Sequence, residues 1–521
     1  MKKASILSVI LAMLCSMLSA QTPQETWLDY EDDANGEGRI FKTEYGYITF
    51  CGYVPAENNH LGVLVTGLSP DHEVLFNKPL VSDTINYGMS YGQGVIKAND
   101  FGFYQMLLNF SDENYGCQML IRYNDEGDTL WTKKYFLDSP WRYRDFVLAQ
   151  HTDGSLYLAG DKDDNPANVN DIYDRKLFLM KLDSEGNIIW THIHDDYIAL
   201  WNYSILLTED AIVVGGRMFL NNFDISIYEG YSRDYIHKFD YNGESIWRTT
   251  INAPPHGSQA GVYGLLEGPD NTYIYGTGRS LGTLSGSGEQ SNTQTAPTIG
   301  LINATTGDTI SEQSFNVHEV WQQIFNLKKT NDGGYIAVGT HVFYETSYSG
   351  PVGFIMKLDE NLELEWYRYY VPSIWEGIAK WNNLTDIVEN DNGTFTALGM
   401  IYTQTGDGPM FGGYVQDTYL LTVDNFGCLI PGCETAVEEF ELDIDISIYP
   451  NPTKDIININ LPQFSDWEIT LLNAQNQVLI QNYTQNTKSE SLNLSQFTSG
   501  VYFLKCTNEK GMQYLKRVIV E

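Results

Sequence analysis

The feature that most constrains this chain is that it repeats. A unit running from Gly154 to Gly160, through a polar loop, then over Leu177–Asp183 to Gly186 and Trp190 recurs along the sequence. It returns as Gly334–Gly339, a loop, Gly353–Asp359 and Trp366, and again as Ala211–Gly215, a loop, Tyr235–Asp240, Gly243 and Trp247. Weaker copies begin at Gly46, Phe103, Thr272 and Thr394, which makes seven. Self-similarity at this period marks a repeat architecture in which each unit buries its apolar face against its neighbours. Each copy holds four runs of alternating, β-branched or aromatic residues, which predicts four strands. Asn331-Asp-Gly-Gly reads as a tight turn between the first and second strands. Asp-x-x-Gly reads as one between the third and fourth, with Asp bonding the turn and Gly supplying positive φ.

Four-stranded units repeated radially predict an all-β fold, here a seven-bladed β-propeller over residues 21–433. The seventh copy ends at Asp424–Cys428 and goes straight into Pro431 without a fourth strand, while Glu25–Tyr30 is a spare strand-like piece. That piece is expected to complete the last blade, with Trp27 in the tryptophan position, so that no sheet edge is left open.

The rest of the chain divides around this body. Lys2 and Lys3, the apolar run Ile6–Leu18 and the small residues Ser19 and Ala20 predict a signal peptide over residues 1–20. Its apolar run is too short for a membrane span, and no other stretch qualifies. Loss of Lys2 and Lys3 takes the net charge from −36 to −38. Residues 446–521 hold six basic and six acidic residues, so the excess negative charge lies before them. Such a body repels phosphate backbones, which argues against nucleic acid as a partner. Residues 434–445 read as an acidic linker. Short alternating strands after it predict a small Ig-like β-sandwich over 446–521. Cys428 and Cys433 flank Leu-Ile-Pro-Gly and are a candidate disulfide in an exported chain.

Residues 446–521 closely resemble the type A C-terminal sorting domain of the type IX secretion system. The elements that carry the resemblance are Tyr449-Pro450-Asn451-Pro452, the central Leu-Leu-Asn-Ala-Gln-Asn-Gln turn, Ser499 to Phe503 with Gly500 and Tyr502, and the terminal run from Lys516 to Glu521. The resemblance implies export across both membranes with the type IX machinery as partner, release or tethering at the outer cell surface, and a source among the Bacteroidetes. The tryptophan-bearing blades resemble quinoprotein-like or WD-like propeller repeats. The adjacent cysteine pair of the quinone enzymes is missing, so no cofactor follows. Sialidase Asp-boxes are set apart by spacing: Gly186 precedes Trp190 by four residues, not three.

No nucleophile elbow, zinc-protease or phosphate-loop motif occurs. The run Asp161 to Asn165 is a candidate calcium loop without the spacing of an EF-hand. His192 and His194 alternate on one strand face, and two histidines alone do not complete a zinc site. The loops between second and third strands are long. They open on the same face as the connections between units, which carry Trp141, Tyr143, Trp201, Trp321, Trp375 and Trp381. Aromatics on loops held by a rigid scaffold suit sugars or protein partners. The expected function is therefore a secreted or surface binding propeller with a glycan or protein ligand, more a binder than an enzyme. The alternative is a secreted hydrolase or lyase acting on polysaccharide or protein from the same face.

Overall fold

A computed structural model describes residues 24–28, 34–55, 60–89, 93–110, 117–136, 143–163, 175–194, 200–219, 232–251, 261–283, 293–315, 322–344, 349–371, 379–408, 413–429, 447–473, 478–508 and 513–520. The chain forms two compact units, Met1–Pro431 and Gly432–Glu521. All named elements are strands.

In the first unit the described strands form seven antiparallel sheets in chain order. The first holds Ala34–Thr43, Gly46–Val54, Gly62–Leu68 and Val74–Leu80. The second holds Asn86–Met89 with Val95–Lys97, then Phe103–Phe110, Cys117–Tyr123 and Thr129–Tyr135. The third holds Tyr143–Gln150, Leu156–Asp163, Arg175–Leu182 and Ile188–His194; the fourth Leu200–Leu207, Ile212–Phe219, Ser232–Phe239 and Ser245–Ile251. The fifth holds Gly264–Glu267, Thr272–Thr283, Thr293–Asn303 and Thr309–Ser314; the sixth Gln322–Lys329, Tyr335–Tyr344, Ser349–Leu358 and Leu364–Tyr370. The seventh holds Ala379–Glu389, Phe395–Gly408 and Gly413–Val423, and its fourth place is taken by Gln24–Leu28 from the start of the chain.

Sequence pattern explains the strand positions. Gly62–Leu68 and Cys117–Tyr123 are buried along their whole length, as third strands with sheet on both sides must be. Fourth strands such as Val74–Leu80 and Ile188–His194 alternate and lie partly in solvent. The apolar residues fall into clusters that each span two successive sheets. Phe50 and Val65 meet Phe103 and Ile121; Tyr104 and Leu120 meet Phe146 and Leu158; Tyr157 and Leu179 meet Ile205 and Val214. The series continues through Val213 with Tyr275, Ile274 with Phe354, and Val338 with Tyr419. It returns to its start where Leu398 and Leu420 pack with Ile40 and Tyr47. Sheets whose shared cores close into a cycle make a propeller-like fold.

The fourth-strand tryptophans lie on the next sheet's turn. A Cβ on Gly186 would come 3.1 Å from Trp131, and one on Gly307 within 2.8 Å of Trp247. Trp247 Nε1 donates to the Ala304 carbonyl at 3.1 Å, and Trp366 Nε1 to that of Asn425 at 3.1 Å. Those turns are built as the Asp-x-x-Gly spacing predicts. Asp183 Oδ1 accepts from the backbone N–H of Glu185 and Asn187, and Gly186 takes φ 77°.

Gln24–Leu28 completes the seventh sheet as expected, but Trp27 is not in the tryptophan position. Trp27 pairs with Tyr419 and Gln24 with Thr422. Thr422 stands where Lys181, Lys238 and Lys357 face Trp190, Trp247 and Trp366 in other sheets. Gln24 therefore replaces tryptophan, and its Nε2 donates to the Pro70 carbonyl in the turn of the first sheet at 3.2 Å. Trp27 is on the opposite strand face and 37% exposed.

In the second unit five strands share one sheet: Ser447–Tyr449, Ile456–Leu472, Val478–Asn493, Gly500–Asn508 and Gln513–Val520. Ile456–Leu472 runs through two of the strands expected from sequence. Its register with Val478–Asn493 breaks between Asn460 and Trp467. A single core gathers residues from both sides of that break, including Ile457, Ile459, Trp467, Ile469, Leu504 and Val518.

Candidate functional site

Two regions carry the residues singled out from sequence. In the second unit, Tyr449 ends the first strand, and the peptide bonds Tyr449–Pro450 and Asn451–Pro452 are cis. Asn451 Oδ1 accepts from Ile519 N at 2.8 Å, and Thr453 N donates to the Ile519 carbonyl at 2.8 Å. The motif thus meets the end of the terminal strand Gln513–Val520, although 68 residues separate Asn451 from Ile519 in sequence. Tyr449 is half exposed. Gly500 opens the fourth strand; Tyr502 is buried in the core and its hydroxyl donates to the Thr498 carbonyl at 2.7 Å. Lys516 pairs with Leu504 in the sheet. Cys428 is buried and disulfide-bonded, and Cys433 lies outside the described residues.

In the first unit, the innermost strands begin at the end where the connections between second and third strands also lie. Trp201 is there, in the first strand of the fourth sheet, opposite Arg217 in register. The guanidinium of Arg175 stands 5.3 Å from the Trp201 ring centroid and that of Arg217 5.8 Å. Both cations contact one indole, the arrangement that a ring quadrupole favours. Arg175 is itself buried and ion-paired with the buried carboxylate of Asp161 at 3.3 Å. In the next sheets Thr277 donates to Asp234, while Arg279 and the Tyr275 hydroxyl hold opposite oxygens of Glu312 at 2.7 and 2.6 Å. Burial, reinforced by the Glu312 carboxylate, pushes the Tyr275 hydroxyl well above its ordinary range.

Trp381 is in the corresponding strand of the seventh sheet and packs edge-on to Tyr402 at 5.5 Å. Tyr143 opens the first strand of the third sheet. Trp141, Trp321 and Trp375 lie outside the described residues, as do residues 164 and 165 of the acidic run. Trp201 and Trp381 therefore share one end of the fold but belong to sheets three places apart. Sequence reading overlooked Arg175, Arg217 and Asp161 as partners of Trp201. Their only signal was an arginine beside each of two successive long loops.

His192 and His194 do share a face, which packs against the fourth sheet. Their rings stack at 6.4 Å, and His194 lies 6.0 Å from His237. Burial, with the neighbouring His194 second, lowers His237 to a pKa of about 2. Among the described residues no group of three or more His, Cys, Asp or Glu is placed to hold a metal ion. Among the described residues no helix is long and apolar enough to cross a membrane.

Residues 447–521 match the family described as the secretion system C-terminal sorting domain. No curated protein matches the chain. Among solved structures, it is similar to the extracellular domain of the one-component-system protein BT4673 from B. thetaiotaomicron. Identity there is 11%, over 96% of this chain and 58% of that one, with a TM-score of 0.38. This chain thus spans less than two thirds of that structure. It is also similar to the subtype N11 neuraminidase-like protein of A/flat-faced bat/Peru (H18N11), at 11% identity over 78% and 94% with a TM-score of 0.37. A third is the α-L-arabinanase of Penicillium chrysogenum, at 10% identity over 65% and 96% with a TM-score of 0.38. No activity carries over at these values. The sorting domain makes this a protein secreted or displayed at the outer surface, and it supports export by type IX secretion.

Proposed function

We propose that the first unit is a seven-bladed propeller that binds an extracellular glycan or protein, delivered by the sorting domain and not itself catalytic. The observation that carries this reading is the placement of Trp201 and Trp381 at the loop-bearing end of a closed ring of sheets, with Trp201 held by two guanidinium groups. An indole fixed in this way is ordered before a ligand arrives and loses little further entropy on binding, which suits contact with a sugar ring or a protein hot spot. Tyr143, Trp141, Trp321 and Trp375 extend the same surface in this reading. A second reading places calcium near Asp161 to Asn165, and the chelator arm below tests it. Residues 1–20 are removed on export, Cys428 pairs with Cys433, and residues 446–521 form an Ig-like sandwich whose Tyr449–Pro452 motif, Gly500, Tyr502 and Lys516 engage the type IX machinery.

The test is a glycan array and a pull-down of surface and matrix proteins with the full chain, with and without chelator. Trp201→Ala and Trp381→Ala together should weaken binding at least about tenfold, the scale of one hot-spot aromatic, with the melting temperature held. Binding unchanged in the double variant refutes the aromatic face, and turnover of the captured ligand replaces the binding reading with an enzymatic one.

A further inference from the structure

Strand Val478–Asn493 of the second unit pairs with Ile456–Leu472 and with no other strand among the described residues, so one of its sides is a sheet edge. Edges are templates for pairing with another chain, and proteins normally blunt them with charge, proline, bulges or a covering segment. The terminal strand at the other end of this sheet is capped at Ile519, whose backbone bonds Asn451 and Thr453, and its sequence carries the charges Lys516 and Arg517. The outer strands of the first unit each carry a charge or histidine. Examples are Lys78, Lys133, His192, Arg248, Glu312, Arg368 and Glu25.

Val478–Thr484, Val-Leu-Ile-Gln-Asn-Tyr-Thr, lacks charge and proline, and its one irregularity is the register shift between Val478 and Ile480 at its start. No charged residue occurs anywhere from Ile469 to Thr487, and the stretch lacks proline and glycine. Beyond that shift its register is continuous from Ile480 to Thr484, and the next irregularity comes after it, where Asn486 takes φ 43°. Leu479, Gln481 and Tyr483 alternate as exposed residues on one face, with Tyr483 74% exposed. Seven residues offer an edge of about 23 Å at ~3.3 Å per residue, enough for strand addition, in which main-chain bonds supply affinity and alternate side chains supply selectivity.

We propose that the Val478–Thr484 edge accepts an added strand from an extended, uncharged segment of a component of the secretion machinery. The proposal rests on the sorting-domain reading and names the surface by which that domain is recognised. The choice of occupant follows from two observations. The bare edge lies inside the domain whose family role is to be sorted, and its own sequence is uncharged, with the one neighbouring carboxylate, Glu468, already accepting from Gln481 and Tyr483, which favours an uncharged partner strand.

The full chain, expressed in a type IX-competent host, tests this with Leu479→Lys and Gln481→Lys combined. These substitutions set two charges beside the edge at exposed positions. Export should fall at least tenfold with the melting temperature unchanged, while Lys488→Gln and Glu490→Gln, further along the same strand, should export normally. A photo-crosslinking residue at position 481 should join the chain to a secretion component through an uncharged β-segment, which keeps the proposal testable if the lysine variant fails to fold. Normal export of a folded double-lysine variant overturns the proposal, as does a crosslink confined to this chain or to a second copy of it. Deleting 447–521 in parallel separates the two readings. If deletion blocks export and the lysines do not, only the edge is wrong; if deletion leaves export normal, the sorting reading itself fails.

Discussion

His72 occupies a backbone position that glycine fills in five of the sister turns, at Gly127, Gly186, Gly243, Gly307 and Gly427. Its φ of 60° is uncommon for a residue with a side chain, and the side chain has a task. One ring nitrogen lies 3.1 Å from Thr26 Oγ1 on the closing strand, the other 2.9 Å from Thr422 Oγ1 on the seventh sheet. The imidazole thus joins the first sheet to both strands of the closure, and Tyr47 packs edge-on to it. Burial lowers its pKa to about 4. The unfolded chain takes up a proton near pH 6.5 that the folded chain refuses until about pH 4. Stability from neutral His72 is therefore full above pH 6.5 and lost as the pH falls through that window, by at most about 3 kcal/mol. His72→Asn tolerates the positive φ and does not titrate. Urea midpoints at pH 7 and pH 4.5 should drop further in the natural protein than in the variant. His237 titrates in the same direction in both, so the difference between the two proteins isolates His72. An equal drop in both refutes the role.

At the scale of elements, closure depends on the five residues Gln24–Leu28. Leu28 enters the core shared by the first and seventh sheets, Thr26 meets His72, and Gln24 reaches Pro70. Removing residues 21–28 leaves Gly413–Val423 as a bare edge and empties the Leu28 site. The melting temperature should fall by about 5 °C or more, several kcal/mol for a domain of this size, and the truncated protein should aggregate on standing. A melting temperature equal to that of the intact chain would show that the ring closes by other contacts. Much of this level was legible in the sequence. Repeats, turn spacing and the spare first strand all follow from periodicity, because strand alternation and Asp-x-x-Gly turns are local. The register of the closing strand was not, because tryptophan is the more conspicuous residue and only the partner Thr422 reveals that Gln24 takes its place. The Arg175–Trp201–Arg217 contact was hidden for a related reason: it joins three strands of two sheets, and no local pattern carries such a meeting. The sorting domain showed the same limit. Its motifs could be read one by one, but not that Asn451 caps the backbone of Ile519.

For the whole molecule, the two units have separate cores. Among the described residues, the apolar clusters of the first unit use none beyond Val423 apart from Leu429, and the core of the second unit draws on Ile448 to Val520. Units with no shared core unfold as separate cooperative blocks. Calorimetry of the full chain should therefore resolve two transitions, the smaller belonging to the unit of fewer residues. Deleting residues 447–521 should remove that transition and leave the other within about 2 °C, since the deleted residues contribute to no core of the first unit. The same deletion should hold the folded first unit inside the cell envelope, measured by fractionation against the intact chain. A first unit that melts much earlier after deletion would mean that its fold depends on the sorting domain. A first unit that folds and still appears outside at normal levels would mean that export does not. The separation of cores makes the expected result specific: on the proposed reading, in which binding belongs to the first unit and delivery to the second, a deletion abolishes export while a pull-down from lysed cells still detects binding.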